Sequence, residues 1–298
     1  MSSPILITGA LGQVGAEVVR LLERVGQPIR AAVRVPAATR PAWSRAVDIV
    51  QFDFTVPKTY GPAYDGVERM FLMRPPAIVD VRRHIFPALD AAKQAGVRQV
   101  VFLSLIGVEK NKILPHYKIE QHILHSGLEY TFLRPSFFMQ NLSSTHREEI
   151  RDRSEIFVPA GSGKTSFIDV RDIAAVAARA LTEEGHRHKI YELTGDTALD
   201  YGTVAAQLSE VLGRQITYRC PSLRQFIRQQ TAQGTPMSFV LVMAAIYTTA
   251  RLGLAGRVTS DIRERLGRAP IAFHQFAEDY ASFWQPIVGV SAVGSPAK

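Results

Sequence analysis

Cysteine is almost missing from this chain. One residue in 298, Cys220, carries a thiol, which excludes an internal disulfide framework and a cysteine-ligated zinc site. Long apolar runs are scarce as well. The richest, from Met237 to Ala250, is shorter than the roughly 20 residues a bilayer-spanning helix needs; it is expected as a buried helix or as the wall of an apolar pocket. Negative charge is thin in the C-terminal third. Between Arg214 and Arg268 nine arginines face only Asp261 and Glu264, which accounts for nearly all of the net charge of +8. These arginines are dispersed rather than clustered, so a solvated surface is expected in preference to a nucleic-acid face. The eight histidines lack the paired spacing with a carboxylate that zinc requires, and no metal is expected. His186 and His188 fall in a polar loop and are expected to be solvated. No basic leader followed by an apolar core precedes the first strand, so a cytoplasmic home is expected and secretion is not. Internal repeats and low-complexity tracts are absent.

What is present begins at the N-terminus. The apolar strand Ile5–Thr8 runs into Gly9-Ala10-Leu11-Gly12-Gln13-Val14-Gly15, and a helical run follows at once. A helix that starts at such a turn offers free backbone N–H groups and the positive end of its dipole to an anion, and a dinucleotide pyrophosphate is the usual occupant. The spacing is G-x-x-G-x-x-G. Gly9 suits a positive φ at the strand exit, Gly12 a close approach of phosphate to main chain, and Gly15 close packing of the first helix on the first strand. Thr8, Gly9, Leu11, Gly12, Gln13, Val14 and Gly15 are therefore the expected cofactor loop.

Strands and helices alternate through the first half. Strands are predicted at Ile5–Thr8, Ile29–Val33, Asp48–Phe52, Arg69–Met73, Gln99–Ser104 and Glu129–Leu133, with helices between them, and this alternation means a parallel sheet covered on both faces. The expected fold is α/β: a Rossmann-type doubly wound parallel sheet with a smaller, mainly helical C-terminal substrate-binding portion. Residues 1–150 would form the dinucleotide-binding domain, 166–195 would return to it, and 196–298 would form the smaller portion. Gly161-Ser162-Gly163-Lys164-Thr165 resembles the end of a P-loop, but Val158 stands where that motif needs a glycine, so the segment reads as a turn.

Ligands on such sheets lie beyond the carboxyl ends of the strands, so residues just past each strand matter most. Arg34 follows the second strand, where a carboxylate would favour NAD; an arginine suits the 2′-phosphate of NADP(H), with Arg40 and Arg45 as helpers. Asp53 can accept from the adenine amino group and Phe54 can flank its ring. Met73-Arg74-Pro75-Pro76 should pass beside the cofactor ribose and pyrophosphate.

These residues resemble a known family, the NmrA-like branch of the atypical short-chain dehydrogenases/reductases. The likeness extends across residues 4–195. It is carried by Ile7–Gly15, by Ala95-Gly96-Val97-Arg98-Gln99-Val100-Val101, by Ser126–Pro135 with Phe137, Phe138 and Asn141 after it, and by Phe167-Ile168-Asp169-Val170-Arg171-Asp172-Ile173-Ala174. The resemblance implies an NAD(P)-binding bilobal fold. Members resemble reductases of quinones, azo compounds, imines or benzylic ethers, or regulators that sense the dinucleotide ratio. The tyrosine–lysine pair of the wider family, four residues apart, is absent: Gln121 follows Tyr117, Arg134 follows Tyr130 and Arg251 follows Tyr247 at that distance. In its place stand His116, Tyr117 and Lys118. His116 matches the position where relatives carry a histidine or lysine near the nicotinamide, and an imidazole titrating near neutrality could protonate the substrate. Ser104, at the end of the fifth strand, matches a polar position beside the substrate. Phe137, Phe138 and Asn141 suit a flat, mostly apolar substrate, with one phenylalanine expected in the pocket and the other in the core.

The function expected is hydride transfer from NAD(P)H, with NADP(H) favoured, to a conjugated or aromatic small molecule such as a quinone, enone, imine or azo compound. The alternatives are a non-catalytic NAD(P)-sensing regulator, and an isomerase or cyclase that retains NADP structurally. Neither a membrane nor nucleic acid is expected as a partner, and a homodimer stays open.

Overall fold

The computed structural model describes residues 3–36 and 43–285; Arg40 lies outside the described residues. The strands are β1 (Ile5–Ile7), β2 (Ile29–Val33), β3 (Val47–Gln51), β4 (Arg69–Met73), β5 (Gln99–Leu103), β6 (Glu129–Pro135), β7 (Glu155–Phe157), β8 (Lys189–Leu193) and β9 (Thr217–Arg219). Seven of them form one parallel sheet in the order β3-β2-β1-β4-β5-β6-β8. The chain winds outward from β1 to β3, then crosses back to β4 on the other side of β1. The carboxyl ends of β1 and β4 therefore border the crevice where a doubly wound sheet takes its ligand.

Each face of this sheet is sealed by its own helices. On one face the Gln13–Arg24 helix buries Val14, Val18, Val19 and Leu22, three and four residues apart, beside Val170, Ile173, Val176 and Ala177 of the Val170–Thr182 helix. On the other, Leu72 and Phe102 meet Ile85 and Leu89 of the Val81–Gln94 helix and Ile119 and Ile123 of the Pro115–Ser126 helix. Central strands buried on both sides need apolar residues at every position, and β5 (QVVFL) is buried from end to end.

The chain divides into two compact units: residues 1–138, 166–197 and 257–271 form the first, and 139–165, 198–256 and 272–298 the second. The expected division at residue 150 falls instead after Phe138, whose backbone bridges Ile168. Residues 257–271, expected in the smaller portion, belong with the sheet. Thr259 bonds Thr194, the Asp261 carboxylate accepts the Glu192 N–H at 2.7 Å, and the Asp172 carboxylate accepts the Ile271 N–H at 2.7 Å. Asp169 caps the Val170–Thr182 helix through the Arg171 N–H, so both carboxylates of the FIDVRDIA motif are structural.

The second unit is mainly helical, with β7 and β9 as a two-stranded parallel sheet. Its Met237–Arg251 segment, expected as a buried helix or a pocket wall, is a helix buried along one side only. Val240, Met243, Ala244, Tyr247 and Ala250 pack inward, while Phe239, Leu241, Val242 and Ile246 remain exposed. An apolar run of that length buries one stripe, because a helix turns its other side away every 3.6 residues. Among the described residues no helix is long and apolar enough to cross a membrane. His186 also departs from expectation: it is buried, with Nδ1 against the Tyr191 hydroxyl at 2.9 Å, while its carbonyl accepts the Thr131 hydroxyl. Burial and nearby Arg265 and Arg179 hold its pKa below the ordinary histidine value, against the opposing pull of Glu183.

Candidate functional site

The glycine-rich turn leaves β1 with Gly9 at φ +64°, a conformation that favours glycine. Gly12 is the N-cap of the Gln13–Arg24 helix at φ −81°, ψ 167° and offers no side chain to cap it. The rim of Leu11, Gly12 and Gln13 is open to solvent. Gly15 is needed for packing, against the loop rather than the strand: a Cβ there would lie 2.2 Å from the Gly9 carbonyl oxygen. Thr8 is buried. Its hydroxyl donates to the Phe71 carbonyl and accepts the Met73 N–H at 2.8 Å, so it locks the ends of β1 and β4 together and fixes the start of the Met73–Pro76 loop.

Arg34 is exposed at the end of β2, and no ion pair engages it among the described residues. Arg45 is exposed too. The Asp53 carboxylate accepts from the Thr55 N–H and hydroxyl at 2.8 and 2.7 Å. Phe54 is 6 % exposed and lies edge-on to Phe52 in the core, so little of its ring is left to flank a base.

Arg74, expected beside the cofactor, and Ser104 and His116, expected near the chemistry, come together on one face of the sheet. Met73 pairs with Leu103 across β4 and β5, so Arg74 and Ser104 leave adjacent strands side by side. They share the parity of Leu72 and Phe102, whose side chains face the Pro115–Ser126 helix. Pro115 opens that helix, and His116 in its first turn stacks on Phe102 with ring centroids 6.0 Å apart. The expectation of a near-neutral histidine fails here. Burial, reinforced by the Arg74 charge, pushes the imidazole down to about 3, so His116 is neutral at pH 7 and is no imidazolium acid. Arg74 is itself partly buried, and burial lowers its pKa below the ordinary arginine value. Glu120, on the same helix face as His116, is held by Arg134 through Nε and Nη2 at 3.0 and 2.6 Å. Tyr117 and Lys118 sit partly exposed on the helix's first turn.

Phe138 packs against the core beneath the Val170–Thr182 helix, and Phe137 meets Phe167 edge-on at 5.5 Å. Asn141 lies in the second unit, in the Gln140–Ser143 helix. Within the C-terminal arginine surplus, Arg219, Arg257, Arg263, Arg265 and Arg268 each pair with a carboxylate. Most of that positive charge is thus locally compensated, which weakens the case for an anionic macromolecular partner.

The NmrA-like family model matches residues 1–252. The chain belongs to the NmrA-like family. It is 36 % identical to an NAD(P)H azoreductase of Xenophilus azovorans, across 93 % of this chain and 98 % of that one. It is 30 % identical to quinone oxidoreductase 2 of Escherichia coli, across 78 % and 82 %. The solved structure of an NADPH-dependent quinone oxidoreductase from Escherichia coli, complexed with NADPH, superposes with a TM-score of 0.83 at 27 % identity, covering 92 % of this NmrA-like chain and 99 % of that one.

Proposed function

We propose that this NmrA-like protein is an NADPH-dependent reductase that passes a hydride to a conjugated or aromatic small molecule, a quinone-type acceptor foremost. The observation that carries the reading is the glycine turn. It opens a helix at the β1/β4 switch point, with a positive-φ glycine, a solvent-open rim and a cap position without a side chain. Those features fit a dinucleotide. Leu11, Gly12, Gln13 and the following N–H groups would hold its pyrophosphate by main-chain hydrogen bonds and the helix dipole. Arg34, exposed at the end of β2 and without an ion pair among the described residues, fits a 2′-phosphate, which is the basis for preferring NADPH over NADH. Asp53 and the Met73–Pro75 loop would border the adenosine and ribose. When bound, the nicotinamide supplies the hydride; the protein orients it and shields the acceptor from water. The activities of its relatives, NAD(P)H azoreductase and quinone oxidoreductase, support the same class of reaction.

The test is direct. Calorimetry with NADPH and NADH should show binding, tighter for NADPH, and Arg34→Ala should weaken NADPH about tenfold while leaving NADH within about twofold, the size expected for one charge-assisted phosphate contact. NADPH should be oxidised when a naphthoquinone is added. No heat with either nucleotide would end this reading. Tight binding without turnover across quinones, enones, imines and azo dyes would favour a dinucleotide sensor instead.

A further inference from the structure

The geometry points to Arg74, seconded by Ser104, as the group that receives the acceptor's developing negative charge, and this rests on the reductase reading above. Arg74 Nη1 donates to three carbonyls of its own loop, those of Pro75, Pro76 and Ile78, at 2.9, 3.1 and 2.7 Å. One corner of the guanidinium is thereby anchored. The opposite edge, Nε with Nη2, has no hydrogen-bond partner among the described residues, and Nε is shielded from bulk water. The Ser104 hydroxyl is likewise buried and without a partner. Folded proteins leave few buried polar groups unpaired, and those they keep call for an explanation. Here two donors stand unpaired at the ends of neighbouring strands, beside the crevice where a doubly wound sheet binds its ligand.

Their chemistry defines the ligand. The Nε–Nη2 edge is the side of arginine that grips an oxyanion with two parallel N–H donors. His116, the nearest other candidate, is a neutral imidazole and adds no positive charge. The guanidinium supplies the positive charge of this cluster. It therefore suits an acceptor whose oxygen becomes anionic as hydride arrives: a quinone or another carbonyl-conjugated acceptor. Hydride delivers an electron pair to the acceptor, the nicotinamide is oxidised, and the pair displaced from the carbonyl π-bond settles on oxygen as a hydroquinone monoanion or an enolate. Arg74 and Ser104 hold that oxyanion by charge-assisted hydrogen bonds until a proton from water neutralises it. An acid side chain is then unnecessary, which accounts for a site without the tyrosine–lysine pair. Acceptors that end with the charge on carbon or nitrogen gain less from this pair, so quinones should be preferred to azo dyes.

4-Nitrophenol, whose ionisation is visible by absorbance, tests the assignment without turnover. It is titrated against the full chain with and without NADP⁺, and NADPH binding is measured on the same preparations by calorimetry. Bound to the wild-type chain, the phenol should ionise at least one pH unit below its free value. Arg74→Met should abolish the shift and weaken phenolate binding about 30-fold, Arg74→Lys should keep part of the shift, and Ser104→Ala should weaken binding about fivefold. Because the Ser104 hydroxyl has no partner to lose, Ser104→Ala decides the matter even if Arg74→Met fails to fold. NADPH affinity should stay within about twofold in Ser104→Ala, which leaves the Met73–Pro75 loop untouched. Absence of phenolate binding, an unshifted ionisation in wild type, a shift that survives Arg74→Met, or phenolate binding left unchanged by Ser104→Ala would overturn the assignment. Failure of the wild-type chain to bind NADPH would instead overturn the reductase reading, and the two results are read separately.

Discussion

The Met73 thioether lies over both glycines at the start of the cofactor turn: a Cβ on Gly9 would fall 2.1 Å from Met73 Cε, and one on Gly12 would fall 2.9 Å from the same atom. The backbone of Gly12 is extended, so Gly12→Ala is strained only by this contact and by the Gly9 carbonyl oxygen at 3.2 Å. Met73 can swing aside. The variant should therefore lose less than about 1 kcal/mol of stability while weakening NADPH about tenfold, because the added methyl crowds the pyrophosphate rim. Thermal unfolding together with nucleotide calorimetry checks both halves. Wild-type NADPH affinity in Gly12→Ala would argue that phosphate does not bind at this turn.

Gly15→Ala should behave differently. Its Cβ would meet backbone, 2.2 Å from the Gly9 oxygen and 3.1 Å from Ala10 Cα, and backbone at the start of a packed helix cannot swing aside. A loss of about 3 kcal/mol is expected, read as a lowered urea midpoint, with NADPH binding recovered once the variant is folded and saturated with nucleotide. Equal stability of the two alanine variants would refute the distinction.

The difference between these glycines shows what was legible beforehand. Spacing alone placed the turn, the positive φ of Gly9 and all six strands of the first half, since a parallel sheet writes itself as apolar runs separated by helical periods. It did not show that Met73 folds back over the turn or that Thr8 ties β1 to β4, because those contacts join positions more than sixty residues apart. His116 was legible by position, but its state was not. A pKa depends on burial and on a guanidinium from the loop after β4, and neither is encoded near residue 116. The Met237–Arg251 helix misled for a related reason: composition reports how apolar a segment is, whereas burial depends on which side the neighbouring helices cover.

In the second unit a buried chain of polar side chains invites a stability test. His146 places Nδ1 3.0 Å from Glu149 Oε2 and Nε2 against the Tyr247 hydroxyl, and Gln230 donates to Glu149 Oε1 at 3.1 Å. All four residues are buried, and burial holds the Tyr247 pKa well above that of ordinary tyrosine, so the phenol remains a neutral partner. Tyr247→Phe removes that partner while keeping the ring. It should cost about 1–3 kcal/mol, the penalty of leaving a buried polar atom unpaired, measured by urea unfolding at pH 7. NADPH affinity should not change, since the cofactor turn is built from the first unit alone.

His116 carries a pH signature whose sign is fixed. Its pKa in the folded chain, about 3, lies below the roughly 6.5 of an unfolded histidine. Between those values the unfolded chain binds a proton that the folded chain refuses, so this residue lowers stability as the medium is acidified from pH 6.5 towards 3 and has no such effect above pH 7. The slope cannot exceed about 1.4 kcal/mol per pH unit. Replacing the imidazole with a group that does not titrate, His116→Gln, should therefore reduce the stability lost between pH 7 and pH 4.5 by about 1–2 kcal/mol, after discounting the histidine's partial exposure. The same neutrality fixes the kinetic expectation. An imidazole that stays unprotonated through the physiological range cannot impose an acidic limb on the rate, so quinone reduction should show no break near pH 6.5 that His116→Gln removes. A limb in wild type that disappears in the variant would mean that the histidine does take up a proton during turnover, and the assignment of the acceptor's charge to Arg74 would have to be shared with it.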